Sequence, residues 1–190
     1  RRMDIGCLEW EELGVRRRRR FAVSCGIGYD AAVCAGAQSS SMKNYLNRIG
    51  LGKFTYLGIG LKRMFSAKYV GTKLRLNGEK EITLKKLLFV AMMSHRYEGG
   101  GFCFCPYAKA TDGLLDLCIV NGVPKWMFPF MIPFARKGKH GHFRGIKLCR
   151  AQRVEIETES PMWVHTDGEV MGRLDKITVT VSKRRLRFVY

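Results

Sequence analysis

The segment WVHTDGEVMG, residues 163–172, places two carboxylates around one glycine within an otherwise apolar stretch. Glycine permits a tight turn, so Asp167 and Glu169 can point toward the same side. Burial beside Trp163 and Met171 would disfavour the charged carboxyl and suit it to accept a proton from an alcohol. An ordinary Asp-Gly hairpin tip with exposed acids explains the same residues, and the segment by itself favours that structural interpretation.

A second acidic segment, KATDGLLDL, contains Asp112 and Asp116 around another Asp-Gly pair. Such a loop can offer carboxylate and main-chain carbonyl oxygens to a hard cation such as Mg²⁺. The spacing is not that of an EF-hand. The alternative is a turn into a strand, in which Asp112 caps the loop.

A third segment, SCGIGYDA, places Asp30 just beyond Gly26 and Gly28, at the end of a closely packed strand. It does not match a dinucleotide-binding fingerprint, because Ala31 stands where that motif needs its third glycine. We interpret it as a polar recognition point at a cleft.

The four histidines offer no recognisable metal or catalytic motif. The sequence has neither the HExxH pattern of zinc proteases nor the G-x-S-x-G segment of α/β-hydrolases. The histidines are assigned to different elements and are His95, His140, His142 and His165.

The 190-residue chain is strongly basic, with 34 Lys plus Arg against 16 Asp plus Glu and a formal net charge of +18. This charge indicates an anionic partner, for which nucleic acid, an anionic membrane and a phosphorylated substrate all qualify. Seven cysteines without zinc-knuckle spacing indicate reduced thiols and a cytoplasmic protein. The most lipid-like run, WMFPFMIPFA, is too short to span a bilayer but could touch a membrane surface.

The pattern of elements predicts a mainly β (α+β) fold, a two-layer antiparallel β-sandwich formed by a single domain over residues 1–190. The first hairpin is predicted to carry Arg16–Arg20 in a solvated loop near its tip, and FAVSCGIG is its predicted buried return strand. Apolar residues at helical spacing predict a helical segment near 41–66, and a Pro-interrupted one is predicted near 124–139.

The remaining segments predict strands. Asn77-Gly78 predicts a hairpin turn between TKLRL and EITL, and KKLLFVAMMS and LLDLCIV are predicted to be buried strands. Three late strands are predicted at RVEIET, MWVHTDGEV and KITVTVSKRRLRFVY.

In order, the segments MDIG, GIGYDAAV, GGGFCFCPYAKATDGLLDL, KGKHGH and HTDGEV resemble the second, mostly β domain of diacylglycerol kinase-like bacterial lipid kinases, which are related to sphingosine kinases. The resemblance runs from about Asp4 to the C-terminus. In that family an N-terminal domain with a Gly-Gly-Asp-Gly-Thr segment binds the nucleotide, and this segment is absent from the chain. The resemblance therefore implies the lipid-side domain, with residues 1–6 as a strand crossing from a missing nucleotide-binding domain.

The resemblance also implies roles for individual residues. Asp167 matches the proposed general base for the lipid hydroxyl, and Glu169 would help to organise a nearby metal. Asp4 matches an acid near the nucleotide–Mg²⁺ network. The Mg²⁺ site of the family's β domain matches Asp112 with the main-chain carbonyls of Lys109 and Leu114. The position that recognises the lipid head matches Asp30 with Gly28.

These matches imply an ATP-dependent lipid kinase, represented by its C-terminal part, that transfers the γ-phosphate to diacylglycerol or a similar lipid alcohol. The implied cofactors are Mg²⁺ and ATP, and the implied partners are a lipid substrate and an anionic membrane surface at which a cytoplasmic protein binds peripherally. The helical segment near 41–66 would cover acyl chains or merely close one end of the sandwich. A non-catalytic lipid-binding module of the same fold and a basic nucleic-acid-binding β domain remain as alternatives, and a homodimer is left open.

Overall fold

The computed structural model of the chain describes residues 2–38, 66–79 and 81–187. Within these ranges the secondary structure is mostly β. The strands are β1 Arg2–Glu12, β2 Val15–Phe21, β3 Ser24–Gly28, β4 Val70–Leu76, β5 Ile82–Met93, β6 Leu115–Asn121, β7 Ile146–Ala151, β8 Arg153–Thr166 and β9 Glu169–Arg187. The α-helices are α1 Tyr29–Gln38 and α2 Phe128–Arg136, and short 3-10 turns cover Gly99–Gly101, Lys125–Met127 and His140–His142.

The strands pair antiparallel in the order β2-β1-β9-β8-β3-β5-β6-β7. Strand β4 pairs with both β5 and β8, which are also the two neighbours of β3. The amino-terminal halves of β5 and β8 contact β4, whereas their carboxyl-terminal halves contact β3. This arrangement brings the start of β3 and the end of β8 together, because Cys25 lies opposite Thr166.

The sheet buries apolar side chains on both faces of β5, in two separate cores. On β5, Leu87, Val90 and Met92 belong to the core inside the sandwich, and Ala91 and Met93 belong to a second core. Helix α2 covers this second core with three buried residues, which are Phe128, Met131 and Ala135. The predicted mainly β, sandwich-like fold is confirmed.

The first hairpin differs from the prediction in two ways. Arg16–Arg20 do not form a loop, because they lie within the exposed edge strand β2 and pair with β1, Cys7 opposite Arg20. The tip is formed instead at Leu13-Gly14, where both residues have positive φ. The salt bridge of Arg17 with Glu12 of β1 helps this arginine-rich edge strand to form.

The predicted buried strand FAVSCGIG is formed only in its second part, because the chain leaves β2 after Phe21 and begins a separate buried strand, β3, at Ser24. The main-chain N–H groups of Ala22 and Val23 are bound by a side chain from another hairpin rather than by a neighbouring strand. Immediately after β3 the chain turns into helix α1, so Asp30 lies in the first helical turn and not at a free strand end.

The other element predictions hold in outline. Leu74 lies opposite Ile82 across the Asn77-Gly78 turn, and β6 and the helical stretch after Pro124 lie where expected. The segments RVEIET and MWVHT form the single strand β8. The helical segment predicted near 41–66 lies outside the described residues, apart from Ser66. Within the described ranges, no helix is both long and apolar enough to cross a bilayer.

Candidate functional site

The site is built around the tip of the β8–β9 hairpin. Asp167 and Gly168 have φ angles of 50° and 82°, the left-handed values that a tight two-residue hairpin turn requires. The main-chain N–H of Asp167 donates to the carbonyl of Ser24 at 2.8 Å, which attaches the tip to the start of β3. The predicted Asp-Gly hairpin tip is therefore present, and its position is fixed by a neighbouring strand.

The carboxylate of Asp167 accepts three main-chain hydrogen bonds. Ala22 donates to Oδ2 at 2.7 Å, and Val23 and Ser24 donate to Oδ1 at 2.8 and 2.9 Å. A carboxylate has about four acceptor positions, so Oδ2 keeps one for a further donor. Asp167 is exposed, so that position is open to a ligand whose hydroxyl approaches the tip.

A group of buried polar side chains lies directly behind the tip, and we call Ser24, Asp30, Glu98 and His165 the polar cluster. The ring Nε2 of His165 lies 3.4 Å from Asp30 Oδ2 and 3.5 Å from Glu98 Oε1. The hydroxyl of Ser24 donates to Glu98 Oε1 at 2.6 Å. Three elements and one loop thus converge, since β3, α1 and β8 each supply one member and Glu98 precedes the Gly99–Gly101 turn.

Gly26 makes this convergence possible. A Cβ atom at Gly26 would overlap the carboxylate of Asp30 and the ring of His165. Gly26 lies opposite His165 in the pairing of β3 with β8, so only a residue without a side chain lets the acid of α1 approach the histidine of β8. Gly28 also has a backbone role, because its φ of 110° turns β3 into α1 and a Cβ there would overlap the carbonyl of Leu88.

Electrostatics within the polar cluster favour bound protons. Burial, followed by the negative charge of Asp30, raises the pKa of Glu98. Burial opposes the charged ring of His165, yet the hydrogen bond and charge of Asp30 and the charges of Glu98 and Asp167 outweigh it and raise the pKa of His165. The cluster can therefore take up protons more readily than the same side chains in water.

The tautomer of His165 argues against a metal ion in the polar cluster. Its ligand atoms and those of Asp30 and Glu98 lie within 4.8 Å of one another, which is close enough for a cation. However, Gly168 donates its N–H to Nδ1 of His165 at 3.2 Å, so a neutral ring carries its proton on Nε2. Because Nε2 then has no lone pair for a metal, the cluster binds protons in this arrangement.

Glu169 follows the tip as the first residue of β9. It forms a salt bridge with Arg19 of the arginine-rich strand β2, and both side chains are exposed. What the structure describes is a surface ion pair that links β9 to β2.

The second predicted acidic site lies in the loop before β6. Asp112 is exposed and its Oδ1 accepts the N–H of Leu114 at 3.1 Å, the capping arrangement that the sequence offered as the alternative. Asp4 of β1 holds this loop, since its Oδ2 accepts the N–H of Gly113 at 2.6 Å. The other oxygen of Asp4 contacts Arg185 Nε at 2.7 Å. Asp4 is only 2% exposed.

The donor groups of this loop fit a hard cation. The exposed carboxylate of Asp112 and the main-chain carbonyls of Lys109 and Leu114 are oxygen donors of the kind that Mg²⁺ accepts while keeping several waters. The carbonyl of Ala110 is already used, because it accepts the N–H of Asp4 at 2.7 Å. Asp116 is outside this donor group, since it lies in β6 and pairs with Arg150.

The structure brings together some predicted residues and separates others. Asp30 and Asp167 both lie close enough to His165 to act on its ring charge. Asp4 and Asp112 belong to a different group around the 109–114 loop. Sequence reasoning did not nominate Glu98 or His165. An acid beside three glycines and a histidine two residues before Asp167 were the available signals.

Comparisons with known proteins agree with this architecture. Residues 23–189 match the family model described as the YegS C-terminal NAD kinase beta sandwich-like domain. A protein of Xanthomonas oryzae pv. oryzae (strain MAFF 311018), named "Probable lipid kinase YegS-like", is 28% identical over 120 residues, 63% of this chain and 38% of that protein. A "Diacylglycerol kinase" of Mycobacterium tuberculosis (strain CDC 1551 / Oshkosh) is 27% identical over 118 residues, 62% of this chain and 38% of that protein.

Solved structures show the same fold. A crystal structure from Bacillus anthracis str. Sterne aligns with 96% of this chain and 54% of that chain, at 22% identity and a TM-score of 0.61. A diacylglycerol kinase structure from the same strain covers 95% of this chain and 50% of that chain, at 17% identity and a TM-score of 0.52. The matched region spans 38% of the length of the curated relatives. Because the family model covers most of the sequence, the chain belongs to the family of YegS C-terminal NAD kinase beta sandwich-like domains.

Proposed function

We propose that this chain is the lipid-side part of an ATP-dependent kinase that phosphorylates the hydroxyl of diacylglycerol or a similar lipid alcohol. The names of the relatives, lipid kinase and diacylglycerol kinase, support a kinase-family role. The chain matches only part of each relative, so the activity belongs to a protein that also carries a nucleotide-binding half. The observation that carries the proposal is the exposed carboxylate of Asp167, fixed by three main-chain N–H groups at the end of the sheet.

In the proposed reaction Asp167 accepts the proton of the lipid hydroxyl. The hydroxyl donates to the open position on Oδ2, and its oxygen forms a bond with the γ-phosphorus as the bond from that phosphorus to the bridging oxygen of ADP breaks. A rigid carboxylate needs no reorganisation at the moment of proton transfer. The three N–H donors orient the carboxylate, and Oδ2, with a single N–H donor, is the oxygen with an open acceptor position.

The polar cluster recognises the lipid head in this proposal. Asp30 is the member assigned to the head, and His165 holds it from β8. Gly28 acts through the main chain, because its left-handed conformation places Asp30 at the start of α1. The proton that His165 carries on Nε2 faces Asp30 and Glu98, which limits the mutual repulsion of the two acids.

Mg²⁺ and ATP are proposed cofactors, and the nucleotide is bound mainly outside this chain. ATP supplies the phosphoryl group, and Mg²⁺ neutralises the charge that develops on the phosphate oxygens. Asp112 and the carbonyls of Lys109 and Leu114 would hold a structural Mg²⁺, while Asp4 positions their loop through Gly113. A direct contact of Asp4 with the nucleotide and a metal contact of Glu169 stay predictions.

The test uses the complete gene product that contains this chain. With labelled ATP and diacylglycerol in mixed micelles, we expect labelled phosphatidic acid. Asp167→Asn keeps a side-chain oxygen for the N–H groups of Val23 and Ser24 but cannot take up the proton, so turnover should fall at least about 100-fold. Asp175→Asn, an exposed acid on β9, is the matched control and should keep full activity.

Two results would overturn parts of the proposal. A folded parent protein that phosphorylates no lipid alcohol would reject the kinase reaction and leave a lipid-binding module. Near-normal turnover by a folded Asp167→Asn variant would reject Asp167 as the base. Circular dichroism and the melting temperature of each variant separate a lost base from a lost fold.

A further inference from the structure

Helix α2 and the 3-10 turn before it expose three large aromatic side chains, and we call Trp126, Phe130 and Phe134 the aromatic face. Their exposed fractions are 66%, 69% and 45%. Because they are spaced by four residues, they share one side of the helical segment over a length of roughly 12 Å. An exposed apolar patch of this kind marks an interaction surface on a soluble domain.

The aromatic face is not the side of α2 that packs against the core. The opposite side of α2 already covers the second core with Phe128, Met131 and Ala135, which are buried. A surface helix needs only one apolar side for folding. The second apolar side of α2 therefore has no role in the described core, although Phe134 retains an edge-to-face contact with Phe143 at 5.2 Å.

The chain around the aromatic face is cationic and contains no acid. Residues 117–154 hold eight Lys and Arg and no Asp or Glu. The exposed cations within it include residues directly after the helix and on the following turn and strand: Arg136, Lys137, Lys139, Arg144 and Lys147. A surface with cations around exposed aromatics is complementary to an apolar layer bordered by negative charge.

An anionic bilayer has this combination of properties. Trp is favoured at the boundary between headgroups and acyl chains, and each Lys or Arg near an anionic surface adds to binding. The aromatic side chains project from a helix instead of lining a groove, so a fluid layer can accommodate them without a preformed complementary shape. A helix of nine residues is too short to cross that layer but can lie in its interface.

We propose that the aromatic face inserts into the headgroup–acyl boundary of an anionic lipid bilayer, with the cations of residues 117–154 contacting the headgroups. This assignment concerns a surface that contains neither Asp167 nor any member of the polar cluster. The proposed insertion into a bilayer also does not require that the protein phosphorylates a lipid.

The experiment is co-sedimentation of the chain with vesicles of phosphatidylcholine alone and of phosphatidylcholine mixed with phosphatidylglycerol. We expect strong binding to the mixed vesicles, and at least about tenfold weaker partitioning of the Trp126→Ser/Phe130→Ser variant. The matched control is Tyr97→Ser/Tyr107→Ser, which removes two aromatics that are 57% and 65% exposed outside the acid-free segment. Its partitioning should equal that of the parent.

A second arm tests the charge contribution. Lys137→Glu/Lys139→Glu should weaken binding to the anionic vesicles and reduce its dependence on salt, while binding to phosphatidylcholine alone changes little. Added vesicles should also shift the Trp emission to shorter wavelength, and Trp126→Phe should remove most of that shift. Melting temperatures confirm that each variant is folded.

The assignment is overturned if the parent does not bind anionic vesicles or if Trp126→Ser/Phe130→Ser binds as the parent does. It is also overturned if that variant converts a dimer to a monomer in light scattering without changing vesicle binding, since the face would then join two copies of the chain. Equal losses in the Tyr97→Ser/Tyr107→Ser control would show that general surface hydrophobicity, and not this face, causes binding.

Discussion

The tip of the β8–β9 hairpin and the face of helix α2 distribute charge and burial in opposite ways. Around the tip, the acids Asp30 and Glu98 are withdrawn beneath the surface and bonded to His165 and Ser24. On α2, aromatic side chains are exposed and no acid occurs anywhere in residues 117–154. The net charge of the whole chain does not show this difference between the two regions.

The two regions therefore differ in how strongly a substitution should affect the stability of the fold. A buried polar group is stable only with its partners in place, so the polar cluster depends on backbone close approach and on specific hydrogen bonds. Replacing an exposed aromatic side chain removes few contacts within the folded chain and so changes its stability little. Substitutions around the tip that force these groups apart or remove a hydrogen-bond acceptor should therefore lower stability, whereas those on the aromatic face should alter binding.

The largest effect is expected from Gly26→Ala. The added Cβ would overlap the carboxylate of Asp30 and the ring of His165, so it should separate the two and lower the free energy of unfolding by about 3 kcal/mol. Gly99→Ala is the matched control, because a Cβ there meets no atom within 4 Å. Denaturant unfolding of both variants measures the difference, and equal stabilities would show that the polar cluster is not closely packed.

The next largest effect is expected from Asp167→Ala. It leaves the N–H groups of Ala22, Val23 and Ser24 without their acceptor, and we expect a loss of about 2 kcal/mol because one charged acceptor serves all three. Hydrogen exchange of these three amides should become faster in the same variant. Asp175→Ala, which removes an exposed acid of β9, should leave both stability and exchange unchanged.

Residues near Asp167 also show how far sequence reasoning reaches. Local patterns predicted the Asp-Gly turn, the Asn77-Gly78 hairpin and the alternation along β8, since each depends on neighbours in the chain. They did not predict that Asp167 would bind main-chain N–H groups about 145 residues away. These N–H groups belong to Ala22 and Val23, where the predicted strand FAVSCGIG is interrupted. Contacts between distant segments leave no periodic signal in one sequence.

The polar cluster was hidden for the same reason. Asp30 was nominated from its position after a glycine-rich strand, but Glu98 and His165 reach it from distant segments. The glycine that permits the approach, Gly26, looks like any small residue in a strand until the crossing of α1 and β8 is known. The prediction of a loop at Arg16–Arg20 is wrong because the pairing with β1 that makes them a strand, including the salt bridge of Arg17 with Glu12, is not visible in the run of arginines itself.

A smaller, pH-dependent effect is expected from Glu98→Gln. Since burial raises the pKa of Glu98, its contribution to stability is present below the ordinary pKa of glutamate and is lost as the pH rises through the folded value. Glutamine stays neutral and keeps an oxygen for the hydroxyl of Ser24. The variant should be about 1 kcal/mol more stable than the parent near about pH 8, and the gain should shrink toward about pH 4.

The pH series has its own control. Glu157→Gln changes an exposed acid of β8, which contacts Lys176 at 3.7 Å, and should alter stability little at any pH. Thermal unfolding of the three proteins across the pH range provides the comparison. A constant difference between Glu98→Gln and the parent would mean that Glu98 does not change its charge within the folded cluster.

The smallest effect is expected from Glu169→Ala, which breaks the salt bridge with Arg19. Both side chains are exposed, and surface ion pairs contribute at most about 1 kcal/mol, decreasing with added salt. The contrast with Asp167, two residues earlier, is the informative part, because both are acids at one hairpin tip and only Asp167 binds main-chain donors. A loss as large as that of Asp167→Ala, measured by denaturant unfolding, would mean that the link between β9 and β2 helps to hold the tip. A small loss would place the rigidity of the tip in the three N–H bonds to Asp167.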